Sequence, residues 1–208
     1  RSDPREAGLF HTAFLMPSRS ALGSWLRHAA DIGVPLQGAS DHLVSEAIYL
    51  ADPEGNGIEV YADRPRDRWR SADGSLKMAT ERLDLNDLAR AADKAWAGAP
   101  SGLVVGHVHL QVGDVPEAEA FYSGLLGLPV MARYTGAAFY GSGGYHHHIA
   151  TNVWNSRRAG IRAEPATGLT ELVLAADVAE IAAIGARGGS DRIRDPWGTR
   201  VTLLPKAA

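Results

Sequence analysis

The sequence predicts an α+β fold built from repeated units, and two observations carry this prediction. A pattern of strand, helix and then several strands recurs along the chain, and each copy takes roughly 50 residues. Within a copy, apolar residues first alternate as they do in a strand and then recur at helical spacing. A chain of 208 residues with 45% hydrophobic content can bury a real core, as one large domain or two small ones.

The first unit covers residues 7–63 and opens with a strand that Pro17 stops. Leu22 and Leu26 belong to an apolar stripe at helical spacing, and Gly33 ends the helix that this stripe predicts. Two further strands flank a turn that is rich in Asp, Pro, Gly and Asn. The predicted bounds are His11–Met16 for the first strand, Arg19–Ile32 for the helix, Ser45–Ala51 and Gly57–Ala62 for the later strands, and Asp52–Asn56 for the turn.

Residues 64–102 are predicted to form a linker that contains a single helix. The stretch from Asp63 to Ser75 is polar, and Pro100-Ser101-Gly102 breaks the pattern at the other end. Between them the helix is predicted at Asp87–Trp96, with Asn86 as its N-cap.

The second unit, residues 103–153, repeats the plan of the first. Its opening strand, Leu103–Val112, places His107 and His109 on the face opposite to its apolar residues, because side chains alternate. Asp114 is predicted to cap the helix that follows. That helix is predicted at Pro116–Leu126, and strands are predicted at Pro129–Tyr134, Ala137–Tyr140 and Tyr145–Asn152.

A third and shorter copy is predicted at residues 168–205. It has a strand at Thr170–Leu174, a helix near Val178–Gly185 and a closing turn at Asp195-Pro196-Trp197-Gly198. This copy is about one strand shorter than the others, and no histidine opens it.

The composition excludes several classes of function. A net charge of −3 and a pI near 6.2 give no basic surface for nucleic acid. No apolar run reaches the length of about 18 residues that a membrane span needs, and residues 1–6 lack the apolar core of a signal peptide. The absence of cysteine excludes disulfides and fits a cytoplasmic protein, which is the predicted localisation. Any metal must be held by imidazole and oxygen.

Two histidines and one carboxylate stand at corresponding places in the repeat. His11 opens the first unit, His107 opens the second, and Glu59 follows the turn of the first unit. Two histidines and a carboxylate can bind one face of an octahedral divalent metal and leave positions open, as in non-haem Fe(II) oxygenases. His109 lies on the same strand face and is the competing candidate. His107 is preferred because it aligns with His11 when the apolar residues that follow are matched.

The chain resembles the vicinal-oxygen-chelate superfamily of glyoxalases, bleomycin-resistance proteins and extradiol dioxygenases, and within it most closely the catechol-2,3-dioxygenase group. The resemblance covers essentially residues 7–204 and is most specific in the first two units. It implies an α+β fold in which paired βαβββ modules form curved mixed sheets around a metal cavity. The segments that carry it are Gly8–His11, Asp41–Leu50, Asp52–Glu59, Gly106–Leu110 and Tyr145–Ala150.

The resemblance also sets an expectation about the length of the protein. Full-length relatives carry four modules, and this chain resembles the second, the third and a shortened fourth. We therefore expect either a longer protein or a homo-oligomer that covers the sheet left exposed.

By the same resemblance, His11, Glu59 and His107 are the metal ligands. Tyr49 would hydrogen-bond the bound catecholate, and His42 would serve as an acid close to it. Tyr49 alternates with small residues along its strand, which leaves room for a ligand on that face.

The triplet His146-His147-His148 supplies a further candidate. The resemblance points to His147 as the acid–base residue near the oxygen site, a role that suits a side chain with a pKa in the neutral range. The triplet lies in the predicted strand Tyr145–Asn152, where alternation sends His147 to one face and its two neighbours to the other. A register slip of one residue would exchange them.

The resemblance therefore implies an Fe(II)-dependent extradiol dioxygenase that opens the ring of a catechol or substituted catechol beside its two hydroxyl-bearing carbons. Mn(II) is the alternative metal, because it accepts the same ligands. The partners would be a small aromatic diol and dioxygen. Two alternatives stay open: a glyoxalase-type metal-dependent isomerase or lyase, and a metal-free ligand-sequestering protein. Glyoxalase-type sites add a second carboxylate from a strand where this chain offers Asn152, which favours oxygen chemistry.

Overall fold

The computed structural model describes residues 3–163 and 167–206, and the chain divides into two compact units. One unit comprises residues 11–108. The other combines residues 1–10 with residues 109–208. Arg1 and Ser2, part of the polar segment of residues 1–6 considered above, lie outside the described residues.

The unit of residues 11–108 holds the first copy of the repeat and the segment after it. Its elements are β1 (Gly8–Leu15), α1 (Arg19–Asp31), β2 (Gly38–Asp41), β3 (Ser45–Ala51), β4 (Gly57–Asp63), β5 (Glu81–Arg82), α2 (Leu85–Arg90) and the start of β6 (Val104–Gln111). The strands lie in the order β5, β2, β3, β4, β1, β6. β1 and β4 run parallel, whereas β2–β3, β3–β4 and β2–β5 are antiparallel pairs. The sheet is therefore mixed, as the sequence predicted.

The two faces of this sheet have different roles. The apolar residues of one face, which include Ile48 and Val60, form the main core with Leu22 of α1 and Leu88 of α2. Gly23 allows the two helices to approach closely, because a Cβ at this position would lie 2.4 Å from the carbonyl oxygen of Leu88. The opposite face carries a smaller buried cluster of Ala13, Ala47 and Tyr61.

The other unit holds the second and third copies. Its elements are the end of β6, α3 (Val115–Glu119), β7 (Val130–Tyr134), β8 (Ala137–Tyr140), β9 (Ile149–Asn152), β10 (Glu171–Ala176), α4 (Val178–Ala186), β11 (Arg192–Arg194) and β12 (Arg200–Pro205). β7, β8 and β9 form antiparallel pairs, and β10, β12 and β11 form a separate sheet of three strands. The third copy has three strands where the first two have four.

These elements confirm the predicted α+β class, and the boundaries of the modules stay a proposal. β3 has the predicted bounds, and Asp114 caps α3 by accepting a hydrogen bond from the Glu117 N–H. The helix after Asp114 changes at Ala120 into a π-helical turn that runs to Leu125. β2, β5, β11 and β12 were missed. The first three are short segments of small or charged residues that show little apolar alternation.

Several predicted elements were wrong in their bounds. β1 begins at Gly8 and not at His11, so His11 is its fourth residue. α2 begins at Leu85 and not at Asp87, because Asp84 and not Asn86 accepts the capping hydrogen bond from the Asp87 N–H. It also ends early at Arg90. β9 begins at Ile149 and not at Tyr145, so the histidine triplet lies outside the strand.

Candidate metal centre

Strand alternation brings candidate metal ligands and Tyr49 to one face of the sheet. His11 of β1 shares its face with Ala13, and Glu59 of β4 shares its face with Tyr61. Tyr49 of β3 lies directly opposite Glu59 in the antiparallel register, so the two side chains project to the same side. All these residues belong to the unit of residues 11–108.

His11, Glu59 and His107 form a compact group of possible ligand atoms. The Nε2 atoms of His11 and His107 lie 3.0 and 3.2 Å from Oε2 of Glu59, and 3.3 Å from each other. The three side chains are buried, with no more than 6% of any residue exposed. Within residues 11–108, all of which the structure describes, no fourth histidine or acidic residue joins this group.

The donor set fits a divalent metal ion. Ligand atoms held at about 2.1 Å from one ion lie about 3.0–3.4 Å apart, depending on whether the bond angles are octahedral or tetrahedral. The three distances between the donors fall within this range. The set offers nitrogen and oxygen without sulfur, which suits iron or manganese as well as zinc.

The electrostatics of Glu59 favour its ionised form. Burial by itself raises the pKa of this carboxyl, but the charge and hydrogen bonds of His107 and His11 outweigh burial and hold the pKa well below its usual range. A buried carboxylate anion between two imidazole nitrogens is a suitable partner for a cation.

Tyr49 and His42 extend the group away from the three donors. Nε2 of His42 lies 2.7 Å from the hydroxyl oxygen of Tyr49, and Nδ1 lies 2.8 Å from the carbonyl oxygen of Ala79. A carbonyl can only accept, so Nδ1 carries the proton and Nε2 accepts from the Tyr49 hydroxyl. Burial and the negative charge of Glu59 raise the pKa of Tyr49 well above its ordinary value. The predicted residues His42 and Tyr49 therefore lie together, next to Glu59.

His107, and not its competitor His109, joins the group. Nε2 of His109 is hydrogen-bonded at 3.0 Å to the side-chain amide of Asn152, and its ring packs between Phe10 and Phe139. Asn152 in turn accepts a hydrogen bond from the backbone N–H of Trp154.

His147 belongs to the unit that contains residues 109–208, and its placement differs from the prediction. The triplet follows the glycine-rich segment Gly141–Gly144 and lies before β9, so strand alternation does not apply to it. Nδ1 of His147 lies 2.8 Å from Nδ1 of His146, and its ring contacts that of Phe139 edge to face. Both histidines are buried.

Two residues at the centre were missed at the sequence level. The fully buried ring of Tyr61 packs against that of His107, with centroids 4.9 Å apart. Gly106 makes this possible, because a Cβ there would lie 1.9 Å from the Tyr61 hydroxyl oxygen. The available signal was Tyr61 itself, which has the same strand parity as Glu59.

Comparison with known proteins identifies the family. Residues 104–203 match the sequence model of the Glyoxalase/Bleomycin resistance protein/Dioxygenase superfamily. A protein of Bacillus subtilis (strain 168) named Catechol-2,3-dioxygenase is 45% identical over 166 residues, which make up 78% of this chain and 58% of that protein. The chain carries a domain of this superfamily at residues 104–203. The family predicted from the motifs is thereby confirmed.

A solved structure from the same bacterium has a similar fold. It is a crystal structure named as that of a “putative dioxygenase” from Bacillus subtilis subsp. subtilis strain 168. It aligns with this chain with a TM-score of 0.57 at 11% sequence identity. The alignment covers 97% of this chain and 63% of that one. The chain spans just over half the length of the curated relative. Among the described residues, no helix is long and apolar enough to cross a bilayer.

Proposed function

We propose that this chain carries the Fe(II) site of an extradiol ring-cleaving dioxygenase that acts on a catechol or a substituted catechol. The observation that carries the proposal is the buried group of two histidines and one carboxylate, with a tyrosine–histidine pair beside the carboxylate. The relative that is 45% identical bears the name of this activity. Dioxygen would be the second substrate.

The number of ligands supports oxygen chemistry over glyoxalase-type chemistry. His11, Glu59 and His107 would hold the ion, and among the described residues no further histidine or acidic residue joins the group. The strand that supplies a second carboxylate in glyoxalase-type sites carries Asn152 here. When bound, the metal would supply Lewis acidity to the diol and redox chemistry toward dioxygen. Mn(II) accepts the same ligands, so the proposal names Fe(II) by analogy with extradiol enzymes.

The residues of the chain would position the diol and move its protons. The Tyr49 hydroxyl lies beside Glu59 and would hydrogen-bond a substrate oxygen. Because Tyr49 donates to Nε2 of His42, a proton that leaves the diol can pass through the tyrosine to this imidazole. Burial of the three ligands keeps bulk water away from the centre. His147 is proposed as the second acid–base residue, on the resemblance alone.

The test is anaerobic reconstitution of the full chain with Fe(II), followed by catechol and air. We expect a yellow ring-opened product from the parent and none from Glu59→Ala, because loss of the carboxylate removes one of three ligands. Glu54→Ala is the matched control, since Glu54 is an exposed carboxylate in the turn that precedes β4. It should retain full activity.

Three results would contradict the proposal in different ways. Stoichiometric metal binding without ring cleavage would favour the isomerase or lyase alternative. Product formation that survives in Glu59→Ala would show that the ligand set is wrong. Absence of metal binding would favour the ligand-sequestering alternative. The predicted homo-oligomer is tested separately by light scattering.

A further inference from the structure

We propose that Asp41 and Arg64 are positioning residues: their ion pair holds the β2–β3 turn in the conformation that places His42 against Tyr49. The kinetic part of this inference rests on the proposed function, whereas its structural part does not. Neither residue belongs to the ligand group, and both act through His42.

The turn between β2 and β3 has an unusual backbone that needs support. Leu43 has a φ of 65°, in the left-handed region that side chains other than glycine, asparagine and aspartate seldom adopt. The Leu43 N–H donates to Oδ1 of Asp41 at 2.9 Å, so the Asp41 side chain stabilises the turn. The His42 N–H donates to the Ser45 carbonyl at 2.8 Å, so His42 is fixed within this turn.

Arg64 clamps this turn from the end of the neighbouring strand. It directly follows β4, and its N–H donates to the Val44 carbonyl at 2.8 Å. Its guanidinium Nη2 lies 2.5 Å from Oδ2 of Asp41 and 3.2 Å from Oε1 of Glu46. Asp41 and Glu46 are directly opposed in the β2–β3 register, an arrangement that like charges make unfavourable. Arg64 therefore removes a repulsion at the base of the turn that carries His42.

The position of His42 determines which proton it can exchange. With Nδ1 bound to the Ala79 carbonyl, Nε2 is left as the acceptor for the Tyr49 hydroxyl. A turn that relaxes would move the imidazole from both partners at once. The His42 imidazole would then occur as a mixture of the two neutral tautomers, and the Tyr49 hydroxyl would lose its hydrogen bond to Nε2 of His42.

The experiment compares Arg64→Met, Arg64→Lys and Asp41→Asn in the full chain. Histidine nitrogen NMR on the metal-free protein reports the tautomer of His42, with the resonance assigned through His42→Gln. We expect a single tautomer in the parent and a mixture in Arg64→Met, with partial recovery in Arg64→Lys. Arg68→Met is the matched control, because Arg68 is an exposed cation in the short helical turn after Arg64.

Kinetics and metal binding separate positioning from a general loss of structure. In Arg64→Met we expect kcat with catechol to fall about tenfold while KM and metal affinity stay within twofold of the parent. A fall in metal affinity that matches the fall in kcat would overturn the inference, and so would an unchanged His42 spectrum with unchanged kcat. If the parent proves inactive with catechol, the proposed function fails, and the His42 spectrum still decides this inference.

A second-site variant tests the turn itself. Glycine adopts positive φ without strain, so Leu43→Gly should hold the turn without the clamp. In the Arg64→Met background, Leu43→Gly is expected to restore the single tautomer and most of kcat. If neither recovers, the inference that the ion pair acts by holding the turn is wrong.

Discussion

Gly106→Ala is the substitution that tests the packing around the metal centre most directly. The new Cβ would lie 1.9 Å from the Tyr61 hydroxyl oxygen and 2.9 Å from Cβ of Leu15. An ordinary contact begins at 3.4 Å, so the tyrosine oxygen must retreat by about 1.5 Å. Tyr61 has no exposed surface, and its ring rests on His107. The clash is therefore transmitted to a candidate ligand.

The size of the effect follows from overpacking in a rigid core. Overpacking costs about 1–3 kcal/mol, and the upper end applies because two neighbours obstruct the new methyl group. For a chain of this size, that corresponds to a fall in Tm of about 6–12 °C. Displacement of a residue that orients a metal ligand typically lowers metal affinity about 10- to 100-fold.

The assay combines thermal unfolding with competition for Fe(II) or Zn(II) against a chelating dye. Gly38→Ala is the matched control, since a Cβ at Gly38 meets nothing within 4 Å. Tyr61→Phe in the Gly106→Ala background should restore part of both losses, because it removes the nearest clashing atom. A Gly106→Ala variant with the Tm and the metal affinity of the parent would refute the reasoning.

Three further predictions concern metal, charge and pH. Chelation of the metal should lower Tm, because a ligand at a hundredfold excess over its Kd stabilises a fold by about 2.7 kcal/mol; an unchanged Tm would contradict a site in the folded state. Glu46→Ala should lower the free energy of unfolding in urea by about 2 kcal/mol, because it breaks the ion pair between Glu46 and Arg19. The loss is smaller than for a fully buried ion pair because the Arg19 side chain is 37% exposed, and an unchanged free energy would mean that this ion pair contributes nothing to stability. Burial raises the pKa of Asp195 despite the hydrogen bond from Tyr122, so folding favours its protonated form. Its contribution to stability is complete below the unfolded pKa of about 3.9 and is lost as pH rises through the folded pKa. Denaturation at a series of pH values should give a flatter profile for Asp195→Asn than for the exposed control Asp191→Asn, and parallel profiles would count against this.

The face of the sheet that carries the metal centre could be predicted because strand alternation is a local rule. The resemblance named Tyr49 and Glu59, the strands β3 and β4 that carry them were recognised from their pattern, and the structure places the two residues directly opposite each other. The prediction that His11 opens its strand was wrong, because β1 begins at Gly8 and His11 is its fourth residue. The segments that resemble the superfamily indicated which residues of the different strands belong to one metal site.

Contacts that depend on irregular segments could not be predicted in this way. His147 was assigned a face by alternation, but glycines at positive φ turn the chain before it and end the strand pattern. The Ala79 carbonyl that fixes His42 comes from a polar segment without periodicity. The clamp by Arg64 depends on a side chain that reaches across to the β2–β3 turn, which no spacing along the sequence reveals.

The three candidate ligands are far apart along the chain, which has a consequence for the order of folding. Glu59 and His107 are 48 residues apart, and His11 and His107 are 96 residues apart. Closing such loops carries an entropic cost that must be met by pairing β1 with β4 and by placing β6 before the donors converge. A metal ion would therefore meet its site only after the transition state for folding. Its presence should slow unfolding and leave the folding rate nearly unchanged.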